Sequence, residues 1–293
     1  MSAIKARKVP LLLYGTAWKK DQTRQLVSQA LQCGFTGIDT AAQPKHYQEH
    51  LVGEGIRDAL SAGHLQRDDL YIQTKFTSIH GQNPQNMPYD AASSITDQVN
   101  ASVGSSLQNL RCTEKIDEKA YLDCLVLHSP FPSMTQTKEA WRAMESHVPN
   151  AIRSLGISNT YHLNVLRELY DFATIKPSVI QNRFYQDSGY DRDIRLFCND
   201  RGIVYQSFWT LTANPHLLRS ELIELVAREA SVSKPVALYG LVLGLGNVSV
   251  LNGTTNAERM REDLEGLQAI REWREANPQT STEVQSAFET LLG

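Results

Sequence analysis

The sequence predicts an α/β fold, a single closed (β/α)8 barrel of the TIM type that spans residues 1–293. Eight short apolar segments alternate with segments that have the apolar spacing of amphipathic helices. No linker rich in proline, serine or glycine and no run of like charges divides the chain. No predicted strand is followed by a GxGxxG turn, which favours a closed barrel over an open doubly wound sheet.

The first βα unit illustrates the pattern that the rest of the chain repeats. An apolar strand precedes the segment GTAW, and the helix that follows has Asp21 at its start and Gly34 as its stop signal. The predicted strands cover residues 9–14, 36–39, 70–76, 121–128, 152–157, 178–182, 203–208 and 248–251. The predicted helices cover residues 21–33, 48–62, 91–110, 136–146, 161–172, 190–200, 219–230, 235–243 and 256–273, and an amphipathic helix ends the chain.

Charge and composition exclude several classes of partner. The chain has 29 basic and 32 acidic residues and a net charge of -3, so no basic surface is expected to gather nucleic acid or anionic lipid. The uncharged segment of residues 235–252 is interrupted by glycines and therefore predicts a buried helix and strand rather than a membrane span.

Cysteine usage predicts a reducing compartment and no metal site. The four cysteines lack CxxC or histidine-paired spacing, and the segment MSAIKARKVP lacks the apolar core of a signal peptide. We therefore expect a cytoplasmic protein. The cysteines are Cys33, Cys112, Cys124 and Cys198.

Four titratable residues follow three consecutive predicted strands. They are Asp39, Tyr47, Lys75 and His128. The carboxyl ends of barrel strands face one site, so we expect these side chains to converge. A phenol with an ordinary pKa near 10 becomes a useful acid only beside a cation, which Lys75 can supply while Asp39 holds the lysine. Each residue alone has an ordinary structural explanation, and the combination is what predicts catalysis.

Six segments, in this order, resemble the aldo-keto reductase superfamily. They are GIDTAAQPKHYQEHLVGEGI, YIQTKF, LDCLVLHSP, SLGISN, IQNRF and NGTTNAERMREDL. The resemblance implies a (β/α)8 barrel that passes a hydride between NADP(H) and a carbonyl, with Tyr47 as the general acid, Lys75 and Asp39 tuning it and His128 orienting the carbonyl. The insertion QPK before Tyr47 resembles one subgroup of fungal and bacterial reductases.

The same resemblance implies a cofactor groove. Ser158, Asn159 and Gln181 would bind the nicotinamide carboxamide, and Phe208 would stack on the ring. NADP(H) is favoured through Arg259, with NAD(H) possible, because many relatives have a lysine where Gly253 stands and an asparagine where Asp263 stands. The remaining implied residues are Gly15 and Thr16, then Trp209, Thr210 and Leu211 over the diphosphate, in place of the usual Ser-Pro-Leu, and Thr254, Thr255, Asn256 and Glu262 at the adenosine end.

Aromatic residues near the strand ends predict the substrate pocket. We expect Phe76, Phe131 and Trp209 to line an apolar funnel, and Trp18 either to wall it or to pack under the barrel top. Residues 77–90 are expected to wall the same pocket. The partner would be a small-molecule carbonyl compound, and the protein a monomer or weak homodimer.

Two other functions compete with the reductase. One is a regulatory NADP(H)-binding subunit that senses redox state with little turnover. The other, ranked last, is a barrel isomerase or aldolase that uses Lys75 as a Schiff base.

Overall fold

In the computed structural model, which describes residues 8–113 and 119–293, eight parallel strands close into one barrel. Each strand pairs with its neighbours in chain order, and β1 closes the barrel by pairing with β8. The strands are β1 (Leu12–Gly15), β2 (Gly37–Asp39), β3 (Tyr71–Phe76), β4 (Cys124–Leu127), β5 (Leu155–Ser158), β6 (Val179–Arg183), β7 (Val204–Phe208) and β8 (Val248–Asn252). The predicted fold class is confirmed.

Ten α-helices surround the barrel in the described part of the chain. They are α1 (Thr23–Gln32), α2 (Glu49–Ser61), α3 (Ile95–Asn109), α4 (Met134–Glu145), α5 (Leu163–Phe172), α6 (Arg192–Asp200), α7 (Glu221–Glu229), α8 (Lys234–Leu243), α9 (Ala257–Ala276) and α10 (Pro278–Leu292). The side chains of Ser94, Ser220, Ser233 and Asn256 accept backbone N–H bonds at the starts of α3, α7, α8 and α9. Such caps satisfy donors that the first helical turn leaves unpaired.

Most element boundaries differ from the predicted ones by a few residues, and two of these differences have clear local reasons. The predicted helix 190–200 begins only at Arg192, because Tyr190 and Asp191 have left-handed backbones with φ of 51° and 52°. The predicted strand 121–128 is shorter, since Asp123 directs its carboxylate to the Ile72 N–H and to two arginines at the start of the strand.

Alternation along the strands divides the buried side chains into two sets. Leu13, Tyr71, Cys124, Val126 and Val179 form an apolar cluster inside the barrel, and the larger core lies between strands and helices. Successive strand residues face opposite sides of a sheet. On β3, Tyr71, Gln73 and Lys75 therefore face the barrel interior, while Ile72 and Phe76 belong to the core under the helices.

Several other predictions concern the whole chain. Within residues 8–113 and 119–293, no helix is long and apolar enough to cross a membrane. All four cysteines are free thiols. The N-terminal segment used for the compartment prediction falls mostly in residues 1–7, outside the described residues.

Candidate active site

A buried ion pair lies at the carboxyl ends of β2 and β3. Lys75 Nζ is 2.6 Å from Asp39 Oδ2, and it also donates to the Thr40 carbonyl at 2.8 Å. The side chains are only 1% and 2% exposed. Burial lowers the pKa of Lys75, but the Asp39 carboxylate raises it and the net pKa lies above the ordinary value. Lys75 is therefore a fixed ammonium group.

Tyr47 lies beside this pair, at the end of a turn and not within a helix. Its backbone N–H donates to the Gln43 carbonyl, and α2 begins two residues later at Glu49. Lys75 Nζ is 5.2 Å from the centroid of the Tyr47 ring. Burial raises the pKa of the phenol, and the nearby Lys75 ammonium opposes that rise. The Tyr47 hydroxyl is thus protonated at neutral pH, and no described residue forms a hydrogen bond with it.

His128 follows β4 and completes the group. The centroids of the His128 and Tyr47 rings are 6.1 Å apart, with the rings edge to face. Nδ1 of His128 lies 2.6 Å from Thr77 Oγ1. Burial, and secondly the charge of Lys75, lower the pKa of His128 to about 3. The imidazole is therefore neutral across the physiological range.

A cavity of about 990 Å³ opens over these residues and extends along the ends of the strands. Lys75 does not line the cavity, but its partner in the ion pair, Asp39, does. The sequence-predicted residues that line the cavity are Gly15, Trp18, Asp39, Tyr47, His128, Ser158, Asn159, Gln181, Phe208, Trp209, Thr210, Leu211, Gly253, Thr254, Arg259, Glu262 and Asp263. Trp18 thus walls the cavity, where its ring contacts that of His46 at a tilt of 37°, with centroids 3.7 Å apart.

Three of the lining residues have left-handed backbones. The φ angles of Trp18, Asn159 and Trp209 are 66°, 54° and 58°. Asn159 and Trp209 directly follow β5 and β7. Bulky residues such as the two tryptophans seldom adopt this conformation, whereas asparagine tolerates it, and such strain concentrates at functional sites.

Polar side chains on β5 and β6 bond to one another at the wall of the cavity. Ser158 Oγ donates to the Gln181 carbonyl at 2.6 Å, and Asn159 Nδ2 donates to the His128 carbonyl at 2.8 Å. Gln181 Nε2 donates to Asp39 Oδ1 at 2.9 Å. Among the described residues nothing donates to Gln181 Oε1, so this acceptor is left for a ligand in the cavity.

The far end of the cavity combines two cations with buried acceptors. Lys19 Nζ donates to the Gly253 carbonyl, and burial lowers the pKa of this lysine. Arg259 lies in the first turn of α9, which Asn256 caps. Asp263 accepts from Asn252 Nδ2 at 2.6 Å, and burial raises the pKa of its carboxyl group.

Comparisons with known proteins agree with this geometry. The model of the Aldo/keto reductase family matches residues 12–290. The chain belongs to this family. It is an oxidoreductase with the barrel fold that the sequence predicts.

Individual relatives are distant but extend over most of the chain. D-galacturonate reductase of Fragaria ananassa is 26% identical over 269 residues, covering 84% of this chain and 76% of the relative. NADP-dependent D-sorbitol-6-phosphate dehydrogenase of Malus domestica is 26% identical over 286 residues, covering 85% of this chain and 82% of the relative. A Bombyx mori aldo-keto reductase solved in complex with NADP superposes with a TM-score of 0.70 at 21% identity, covering 90% of this chain and 89% of the other.

Some predicted pocket residues do not reach the cavity of this aldo/keto reductase. The prediction that Phe76 lines the funnel is wrong: it is fully buried and packs on Tyr89, because its neighbour Lys75 takes the inward direction. Phe131 is half-buried against the core and is not among the lining residues. Thr16 is buried and donates to the Asp39 carbonyl.

Two segments near the cavity have other roles than those predicted. Thr255 and Asn256 lie at the start of α9 but outside the cavity lining. None of residues 77–90 lines the cavity either. Instead, Gln82 Nε2 donates to the Ala42 carbonyl and Gln43 Nε2 donates to the Gly81 carbonyl, so this segment supports the turn that carries Tyr47.

The sequence analysis missed several residues of the site, including two cations, one histidine and one hydroxyl group. Lys19, His46 and Arg183 line the cavity, and Thr77 contacts His128. Lys19 and His46 adjoin Trp18 and Tyr47, and Arg183 lies two residues after Gln181 on β6, so its inward direction follows from strand alternation. Among the described residues, no group of three or more histidine, cysteine, aspartate or glutamate side chains could hold a metal ion.

Proposed function

We propose that this aldo/keto reductase reduces an aldehyde or ketone to an alcohol with NADPH as the hydride donor and Tyr47 as the proton donor. The observation that carries the proposal is the convergence of a protonated phenol, a buried ammonium group and a neutral imidazole on one cavity. When bound, NADPH supplies the hydride that adds to the carbonyl carbon. The oxidised cofactor then leaves as NADP+.

Tyr47 supplies the proton to the carbonyl oxygen. Its hydroxyl has no partner among the described side chains, so it is free to donate to a substrate oxygen at the cavity wall. The Lys75 ammonium stabilises the phenolate that remains, and Asp39 holds that ammonium in place. The hydride and the Tyr47 proton together balance the reduction of the carbonyl to an alcohol.

His128 orients the carbonyl through its second ring nitrogen. We propose that the Thr77 hydroxyl, 2.6 Å from Nδ1, donates to this nitrogen, which places the imidazole proton on Nε2. The neutral ring then donates this N–H to the substrate oxygen, beside the Tyr47 hydroxyl. Because the pKa of His128 is lowered to about 3, the residue keeps this form at neutral pH.

The groove has groups that fit NADP(H). Gln181 Oε1 is an open acceptor for the carboxamide N–H, and the Phe208 ring offers a face for the nicotinamide. Arg259, at a helix start, and Lys19 place two cations where a 2'-phosphate can bind. The relative from Malus domestica is named NADP-dependent, which agrees with this preference. We propose that NAD(H) binds more weakly.

The substrate would be a small carbonyl compound with an aromatic or alkyl body. Trp18, Phe208 and Trp209 line the cavity, and Trp18 and Trp209 are 62% and 51% exposed. Such faces favour apolar groups over highly charged ones. We also propose that the protein is a monomer or weak homodimer in a reducing compartment.

The experiment has two parts. The purified protein is titrated with NADPH and NADH while its tryptophan fluorescence is followed, and NADPH oxidation is then measured with a panel of aldehydes and ketones. Binding with turnover supports the proposal. Tight binding without turnover on every substrate would favour a regulatory cofactor-binding role, and an absence of binding would contradict the proposed cofactor.

A further inference from the structure

Three glutamines form a hydrogen-bonded ring with Asp39 inside the barrel, above the apolar cluster. Gln73 Nε2 donates to Asp39 Oδ1 at 2.7 Å and to Gln206 Oε1 at 2.8 Å. Gln181 Nε2 donates to the same two acceptors, each at 2.9 Å. Gln206 Nε2 donates to Gln73 Oε1 at 3.0 Å, which closes the ring.

The ring is buried and most of its hydrogen-bonding groups are paired. Gln73 and Gln206 have no solvent exposure, and Asp39 and Gln181 have 2% and 3%. Tyr71 adds a further hydrogen bond to Gln73 Oε1 at 3.3 Å. Buried amides are costly unless they are bonded, and a satisfied network holds each side chain in one orientation.

The Gln181 amide is held by two acceptors, Asp39 Oδ1 and Gln206 Oε1. The Asp39 carboxylate can only accept, so Gln73 and Gln181 turn their NH2 groups toward it. The same NH2 groups also donate to Gln206 Oε1. The Gln206 NH2 group in turn donates to Gln73 Oε1. Gln181 Oε1 is the acceptor left over, and it faces the cavity.

We infer that Gln73 and Gln206 are positioning residues that lock the Gln181 amide with its oxygen toward the cofactor site, and that also hold Asp39 for Lys75. Asp39 Oδ1 accepts from the two glutamines, which leaves Oδ2 for Lys75 Nζ. Neither Gln73 nor Gln206 lines the cavity, so both act through other side chains.

The inference rests on the proposed function, because it assumes that a nicotinamide carboxamide binds at Gln181. A locked acceptor selects ligands that donate an N–H at this point. It discriminates against the 3-acetylpyridine analogue of NADP+, which carries a methyl group in place of the amide NH2. An amide free to turn would offer its own N–H and lose this selectivity.

The experiment measures the dissociation constants of NADP+ and of its 3-acetylpyridine analogue by fluorescence titration. The variants are Gln206→Leu and, as a second way to break the ring, Gln73→Leu. The control is Val179→Ala, which removes volume from the barrel interior on the same strand as Gln181 without a ring hydrogen bond. Circular dichroism verifies that each variant folds.

We expect wild-type protein to prefer NADP+ over the analogue by about fivefold, the worth of one hydrogen bond. In Gln206→Leu, NADP+ should bind about fivefold more weakly while the analogue binds equally well or better, so that the preference disappears. Gln73→Leu should change the preference in the same direction, and Val179→Ala should keep it.

Other outcomes separate the inference from the proposed function. Equal weakening of both ligands in the ring variants, as a merely structural role predicts, would overturn the inference. An unchanged preference would also overturn it. If the wild-type protein bound neither ligand, the proposed cofactor itself would be wrong.

Discussion

Thr77 Oγ1 lies 2.6 Å from Nδ1 of His128 and bridges the ends of two adjacent strands, β3 and β4. This is the one hydrogen bond that the His128 imidazole makes with a side chain in the described part of the chain. A hydroxyl can donate to Nδ1, and the imidazole proton then stays on Nε2, where a substrate carbonyl can accept it.

Replacing Thr77 by valine should lower turnover without affecting the cofactor. Thr77→Val keeps the shape of the side chain but removes the donor, so we expect kcat to fall roughly 5- to 10-fold with the Kd of NADPH unchanged. Steady-state kinetics and a fluorescence titration measure the two quantities. Thr77→Ser is the control that restores the hydroxyl, and a Ser variant as slow as the Val variant would contradict this role.

His128 should make the folded state sensitive to acid. Its pKa of about 3 in the folded protein lies below the ordinary 6.5, so the stability that it contributes is present above pH 6.5 and is lost as pH falls toward 3. Between pH 6.5 and 4.5 this loss amounts to about 2 kcal/mol. Urea unfolding of wild type and His128→Gln at both pH values measures it. Equal losses in the two proteins would show that His128 does not titrate as proposed.

Breaking the buried ion pair should cost both stability and activity. Asp39→Asn leaves the Lys75 ammonium buried without its counter-charge, which should lower the free energy of unfolding by about 3–5 kcal/mol. The exposed pair of Lys138 and Glu168, with a similar distance of 2.7 Å, provides the control. Glu168→Gln should cost no more than about 1 kcal/mol in the same urea titration. Similar losses for both variants would contradict the special importance of the buried pair.

The two cations at the adenosine end should discriminate between phosphorylated and unphosphorylated cofactor. Lys19→Met and Arg259→Ala should each weaken NADPH by about tenfold and NADH by much less, because a charge-assisted bond to the 2'-phosphate is lost. Arg271→Ala, on the exposed side of α9, is the matched control and should change neither Kd. Equal weakening of both cofactors would remove the tested cation from the 2'-phosphate site.

The sequence predicts the strands and the residues at their ends better than it predicts the contacts of individual side chains. Apolar periodicity and helix stop signals were enough to predict eight strands, and the positions of Asp39, Lys75 and His128 at strand ends followed from them. Strand alternation excludes Phe76 from the funnel, because its neighbour Lys75 takes the inward direction on β3.

Other features depend on contacts between distant parts of the chain. The Gln73, Gln181 and Gln206 ring joins three strands, and the Lys19 contact with Gly253 joins residues 234 positions apart. Strand alternation could have placed the two unassigned glutamines inside the barrel, since Gln73 precedes Lys75 by two residues. Their bonding partners could be known only after the barrel had closed.

A single-turnover measurement separates proton donation by Tyr47 from binding of the cofactor. Wild-type protein and Tyr47→Phe are each saturated with NADPH and mixed with an aldehyde that the wild type reduces, and the decay of NADPH absorbance is followed. We expect Tyr47→Phe to bind NADPH with nearly unchanged affinity but to oxidise it at least about 1000-fold more slowly, because the proton donor is gone. Substantial oxidation of NADPH by the phenylalanine variant would show that Tyr47 is not the proton donor.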